Sequence, residues 1–154
     1  MPFYIALATL ALLPIHLFAQ TPALEPLNAA FGGRVTFKID RQQRLVADFF
    51  DAGNRFRQDI APLAELDLRT VSFSPEEDAV VVKCLAEKGQ CFSKEIFKLD
   101  VVRLSGRSTL PRPADDPEGT RTIVLLQELI RTYQLELVQV AGETPRDGSR
   151  NKAR

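Results

Sequence analysis

Between Arg34 and Ile60 polar and apolar residues alternate with a period of two, and two short polar stretches interrupt the alternation. That period belongs to strands with one buried and one wetted face. Val35, Phe37 and Ile39 alternate with Arg34, Thr36, Lys38 and Asp40. Leu45, Ala47 and Phe49 share a face of the next run, and Phe56 and Ile60 alternate with Arg55, Arg57 and Asp59. The interruptions at 41–43 and 51–54 read as turns, the second on its Asp-Ala-Gly-Asn sequence. A slip of one residue would turn every side chain to the wrong face, so matching the faces predicts the register. The first loop sets Ile39 opposite Leu45, Phe37 opposite Ala47 and Val35 opposite Phe49. The second sets Phe49 opposite Phe56 and Leu45 opposite Ile60. The polar face then pairs Asp40 with Arg44, and Asp48 with both Thr36 and Arg57, so that opposite charges meet across strands. A loop over 41–43 asks for glycine at its left-handed position, where this chain has Gln43.

The rest of the chain fits the same class. Residues 20–33 form a lead-in with Leu24 and Leu27 as packing candidates, and 61–68 form a connection. Further strands are predicted around Arg69–Phe73 and over Ala79–Leu85, joined by a charged turn, Ser74–Asp78. After a turn at Ala86–Gln90, the run from Cys91 to Leu104 is long for one strand. Its apolar residues change face between Ile96 and Phe97, which predicts a bulge or bend near 93–97. Residues 105–114 read as a loop. A helix then follows, with Asp116 as N-cap, Pro117 at the first helical position, and acidic residues at the positive end of the dipole. Ile123, Leu126, Ile130, Tyr133 and Leu137 form an apolar stripe that Leu125 and Leu129 widen. Residues 141–154 carry no apolar periodicity and read as a disordered tail. The predicted fold is α+β: an antiparallel meander or barrel of five to seven strands, capped by one C-terminal amphipathic helix.

Residues Ile5–Phe18 are mostly apolar but too short to span a bilayer, which takes roughly 20 residues. They fit the core of a secretory signal peptide over 1–19, with cleavage between Ala19 and Gln20. The expected location is secreted or periplasmic. Cleavage there removes His16 and Met1, the chain's only histidine and only methionine. Cys84 and Cys91 flank the predicted 86–90 turn. In an oxidising compartment they are placed to form a disulfide across a hairpin.

The inventory narrows the chemistry. Lys and Arg balance Asp and Glu at 20 each, so the basic excess of a nucleic-acid binder is missing. Without histidine the usual general base for a Ser or Cys nucleophile is lost. No phosphate-binding glycine loop and no nucleophile elbow occurs. The acidic run Glu76-Glu77-Asp78 lacks the spacing of a calcium loop and reads as a charged turn. No metal site, cofactor or catalytic residue is assigned. One surface group stands out: in the predicted register Arg34, Phe50 and Arg55 are neighbours across three strands on the non-core face. A phenylalanine between two arginines suits an aromatic or anionic partner. A position under the terminal helix or a loop, or as a lone exposed aromatic, explains Phe50 better than a partner does.

The order of elements over residues 34–140 resembles a pleckstrin-homology-like barrel, in which a meander of strands is capped by a terminal helix. The stretch DLRTVSFSPEEDAVVVKCLAEKGQC also resembles small exported bacterial proteins. The first resemblance implies a peptide groove along a strand edge beside the helix. The expected function is a non-catalytic binding or interaction module with a protein or peptide partner in the cell envelope. The alternatives are a small-ligand or lipid-binding domain with its pocket between helix and sheet, and a carboxylate-based hydrolase.

Overall fold

The structure is a computed structural model and describes residues 23–142. The predicted signal peptide, the start of the lead-in and residues 143–154 of the predicted tail lie outside the described residues. The order is α1 (Leu24–Ala30), β1 (Val35–Ile39), β2 (Arg44–Asp51), β3 (Asn54–Pro62), β4 (Ser72–Ser74), β5 (Ala79–Lys83), β6 (Phe92–Ile96), β7 (Val101–Ser105), β8 (Arg107–Pro111) and α2 (Thr120–Gly142). The class is α+β. The strands do not close into a barrel. They form a five-stranded antiparallel sheet in the order β1-β2-β3-β6-β7 and a three-stranded sheet in the order β4-β5-β8.

The β1–β2 register is the predicted one throughout, from Val35 opposite Phe49 to Ile39 opposite Leu45. Gln43 takes the left-handed conformation that its loop requires, at φ 57°. The Asp40 carboxylate steadies the turn by accepting from the backbone N–H groups of Gln42 and Arg44 and pairing with the Arg44 side chain at 2.7 Å.

The β2–β3 register is different from the expectation. A bulge lies between Phe49 and Phe50: Asp51 faces Asn54 and Phe50 faces Arg55, but Phe49 faces Arg57, Val46 faces Ile60 and Leu45 faces Ala61. The bulge leaves Phe56 as the unpaired residue, so Ala61 and not Ile60 enters the core, with Asp59 and Arg57 on the same inner face. Asp48 consequently faces Gln58 rather than Arg57. Its carboxylate accepts from Gln58 at 2.6 Å and Arg55 at 3.1 Å and pairs with Lys38 at 3.2 Å. Burial alone would raise this carboxyl; the bonds from Gln58 and Lys38 outweigh it and hold it low.

Three further expectations are corrected. The run from Cys91 to Leu104 is not one bulged strand but the β6–β7 hairpin, turned by a 3-10 segment at Phe97–Leu99 and by Asp100 at φ 51°. Residues 107–111 are not loop but the strand β8, paired with β5. The chain passes from β7 to β8, and so between sheets, at Gly106; a Cβ there would sit 2.7 Å from the Gly89 carbonyl oxygen. The terminal helix begins at Thr120, after a turn in which Gly119 has φ 66° and packs against Val80. Asp116 is thus not the N-cap residue and Pro117 lies in the turn, but the Asp116 carboxylate still accepts from the Thr122 N–H at 2.8 Å. Residues 141 and 142 belong to this helix and not to a tail.

The predicted helical stripe packs over most of its length. Leu126, Leu129 and Ile130 are fully buried, with Ile123, Leu125 and Tyr133 against them. Burial of each such aliphatic side chain is worth about 1.5–3 kcal/mol. Beyond Gln134 the helix outruns the body, and Leu135, Val138 and Val140 are exposed. The helix lies against α1, the short 3-10 segments at Leu63–Glu65 and Leu68–Thr70, and β4. Gln134 donates to the carbonyls of Leu63 and Leu66, and Gln127 to that of Leu68. The lead-in is itself helical: α1 buries Leu27, and Phe31 beyond it packs its ring 5.4 Å from that of Phe37 on β1.

Cys84 and Cys91 are bonded, with Cα atoms 5.8 Å apart. They do not staple a hairpin. Cys84 follows β5 and Cys91 precedes β6, and these strands belong to different sheets. The disulfide therefore ties the two sheets together. Among the described residues, no helix is long and apolar enough to cross a membrane.

Candidate binding site

A cleft of about 570 Å³ opens between the sheets at the tip of the β2–β3 hairpin. One wall comes from the five-stranded sheet, with Arg34, Phe49, Phe50, Phe56 and Arg57. The other comes from the β4–β5 turn and β8, with Glu77, Asp78, Thr109 and Pro111. Each position has a local cause. The bulge brings the consecutive residues Phe49 and Phe50 to one opening and displaces Phe56 to the rim, where it is 40% exposed. Its ring lies 6.4 Å from that of Phe49.

Of the predicted trio, the backbones of Arg34, Phe50 and Arg55 do adjoin. Phe50 faces Arg55 in register, and its N–H donates to the Arg34 carbonyl at 2.9 Å. The side chains part company. Arg34 and Phe50 line the cleft, whereas Arg55 pairs with Asp48 and lies 4.4 Å from the centre of the Phe97 ring. Phe50 is half-buried on the lining of the cleft, beside the β4–β5 turn residues Glu77 and Asp78 that line it too.

Arg57 is the residue that sequence reasoning turned the wrong way. Its guanidinium carbon lies 3.6 Å from the centre of the Phe49 ring, a cation–π distance. Its Nη2 donates to the Thr109 carbonyl at 2.8 Å, bridging the sheets. Behind it lies Asp59, whose side chain has no exposed surface. Asp59 is 3.1 Å from Arg57 and 3.8 Å from Lys94, and accepts from the Ser108 hydroxyl at 2.5 Å. Lys94 faces Asp59 in the β3–β6 register, and Ser108 reaches it from β8. Burial pushes the Asp59 carboxyl up, against the opposing effects of Ser108, Arg57 and Lys94. Burial likewise pulls the Arg57 and Lys94 cations below their ordinary ranges, with Asp59 opposing it. The one signal available in the sequence was an Asp of the same parity as Arg57 and Ala61 in an alternating strand.

The rim carries two more ion pairs, Arg107 with Glu77 at 2.8 Å and Arg112 with Asp78 at 3.2 Å. The Glu76-Glu77-Asp78 run is thus tied in part to β8 and the residue that follows it. Among the described residues no three His, Cys, Asp or Glu side chains converge to hold a metal ion. The arrangement offers an aromatic floor and two guanidinium groups. The cleft lies between the sheets, and Leu126, Leu129 and Ile130 of α2 are buried in the core. Comparison with known proteins identifies no relative: no family model, no curated protein and no solved structure matches the chain.

Proposed function

We propose that the protein is an exported, non-catalytic binding module that takes its partner in the cleft between the two sheets. The observation that carries this reading is the convergence of Phe49, Phe50 and Phe56 with Arg34 and Arg57 on one opening. Sites for small molecules have volumes of roughly 300–1,000 Å³ and combine apolar walls with a few fixed polar groups. The cleft's 570 Å³ is enough for a small ligand or for one apolar end of a peptide. Non-catalytic action is supported by Asp59: its buried carboxylate is occupied by Arg57, Lys94 and Ser108. Export is supported by the apolar run Ile5–Phe18 and by the Cys84–Cys91 bond, which suits an oxidising compartment.

Heteronuclear NMR with a panel of apolar small molecules and short peptides tests the site. Binding is expected to shift the amides of Phe49, Phe50, Phe56 and Arg57, and Phe50→Asp is expected to abolish those shifts without lowering the melting temperature. A panel that leaves the cleft amides unmoved, or binds the variant equally well, overturns the reading.

A further inference from the structure

We infer that the cleft recognises a carboxylate carried on an apolar body; this rests on the cleft being the binding site. Two guanidinium groups enter it from the five-stranded sheet, and each is tethered through Nη2 to a backbone carbonyl on the far side. Arg57 donates to Thr109 at 2.8 Å, and Arg34 donates to Arg112. In neither case does Nη1 have a partner among the described residues. A guanidinium held at one corner presents its other N–H groups in a fixed direction, and that planar fork matches a carboxylate.

The local charge balance points the same way. Glu77 is engaged by Arg107, Asp78 by Arg112 and Arg57 by Asp59. Arg34 has no carboxylate partner among the described residues, so its cation stands at the aromatic floor outside any ion pair. Asp51, at the hairpin tip, is the opposing charge on the lining and has no ion pair among the described residues. A ligand whose apolar body lies on Phe50 and Phe56 and whose carboxylate meets the free Nη1 groups satisfies both halves of the cleft. Two sources offer this chemistry: a free apolar acid, and the C-terminal carboxylate of a peptide ending in an apolar residue.

Calorimetry on the exported protein, at low salt, with four probes tests this: 3-phenylpropionate, its amide, the peptide N-acetyl-Gly-Gly-Phe and its C-terminal amide. At least one acid is expected to bind about tenfold more tightly than its amide, the worth of one charge-assisted contact. Which acid binds identifies the source. Arg34→Gln is expected to erase the preference for acid over amide, and Asp51→Asn to tighten acid binding. Both positions are exposed, and unchanged melting temperatures establish that the variants are folded. Amides that bind as tightly as the acids overturn the inference while leaving the cleft as the site. Weaker acid binding in Asp51→Asn overturns it in favour of a ligand that also carries positive charge. Acids that do not bind at all overturn it too, and the NMR panel then decides separately whether the cleft is the site.

Discussion

The inner face of the five-stranded sheet is built in two ways. Over β1 and β2 it is apolar: Val35, Phe37, Leu45, Ala47 and Phe49 are buried in the same core as α1 and α2. Over β3 and β6 only one end, Ala61 and Phe92, joins that core; the rest carries Arg57, Asp59 and Lys94 and packs against Ser108 and Thr109 of β8. The apolar half gains from every area of surface removed from water. The ionic half must offset the desolvation of buried charges, and such clusters are often no more stabilising than apolar residues of the same volume. The difference teaches a division of labour: the helical half carries the stability, and the ionic half holds a guanidinium at the mouth of the cleft.

The sharpest attempt to break this comparison is Asp59→Ala. It strands Arg57 and Lys94 without their anion and is expected to cost about 3–5 kcal/mol in urea unfolding. Replacing the cluster together, with Arg57→Met, Asp59→Leu and Lys94→Met, is expected to leave stability unchanged or raise it by about 1–4 kcal/mol while removing binding at the cleft. A triple variant that is unstable would show that the ionic half is structural. In the apolar half, Ile130→Ala should cost about 2–5 kcal/mol by cavity formation, with probe binding to the residual folded protein unchanged. Between the halves, replacing Cys84 and Cys91 by Ala should cost about 2.5 kcal/mol on the chain-entropy account of a loop this short. The smallest effect is expected at the helix cap, where Asp116→Ala should cost about 1 kcal/mol in the same assay.

Acid separates the aspartates by sign. Asp48 and Asp116 are held low because bonds to the carboxylate, from Gln58 and Lys38 and from Thr122, outweigh burial; Asp67 is held low by Arg69. Their contribution to stability is present above the unfolded aspartate value of about 3.9 and is lost as pH falls through the lower folded values. Asp59 is raised by burial, so its contribution is present below that value and lost as pH rises through the folded one. Unfolding monitored from pH 6 to pH 2 should therefore show a loss of stability below about pH 4, preceded on the way down to pH 4 by a gain from Asp59 that the triple variant lacks.

The legible parts of the fold are those where neighbouring residues agree. The β1–β2 pairing was readable because faces, charges and loop length all select one register, and the structure keeps every pair of it. The helix stripe was readable as far as Tyr133 for the same reason. The β2–β3 pairing misled because Phe49, Phe50 and Phe56 offer an apolar residue to either parity, so alternation does not reveal a bulge. That single inserted residue turned Arg57 and Asp59 inward, and with them half of the candidate site. Arg34 and Phe50 were found because they precede the bulge or pair at the turn; Thr109 and Pro111 were missed because β8 is a strand only beside β5.

By itself the sequence determined the strand periods, the caps and the pairing of its two cysteines, because each depends on residues close along the chain. Only the tertiary structure decided that β3 lies beside β6, that β8 leaves β7's sheet at Gly106, and that a cleft opens between the sheets. A strand's backbone can pair with any other strand; the choice among partners is made by packing between distant segments, which no local pattern records.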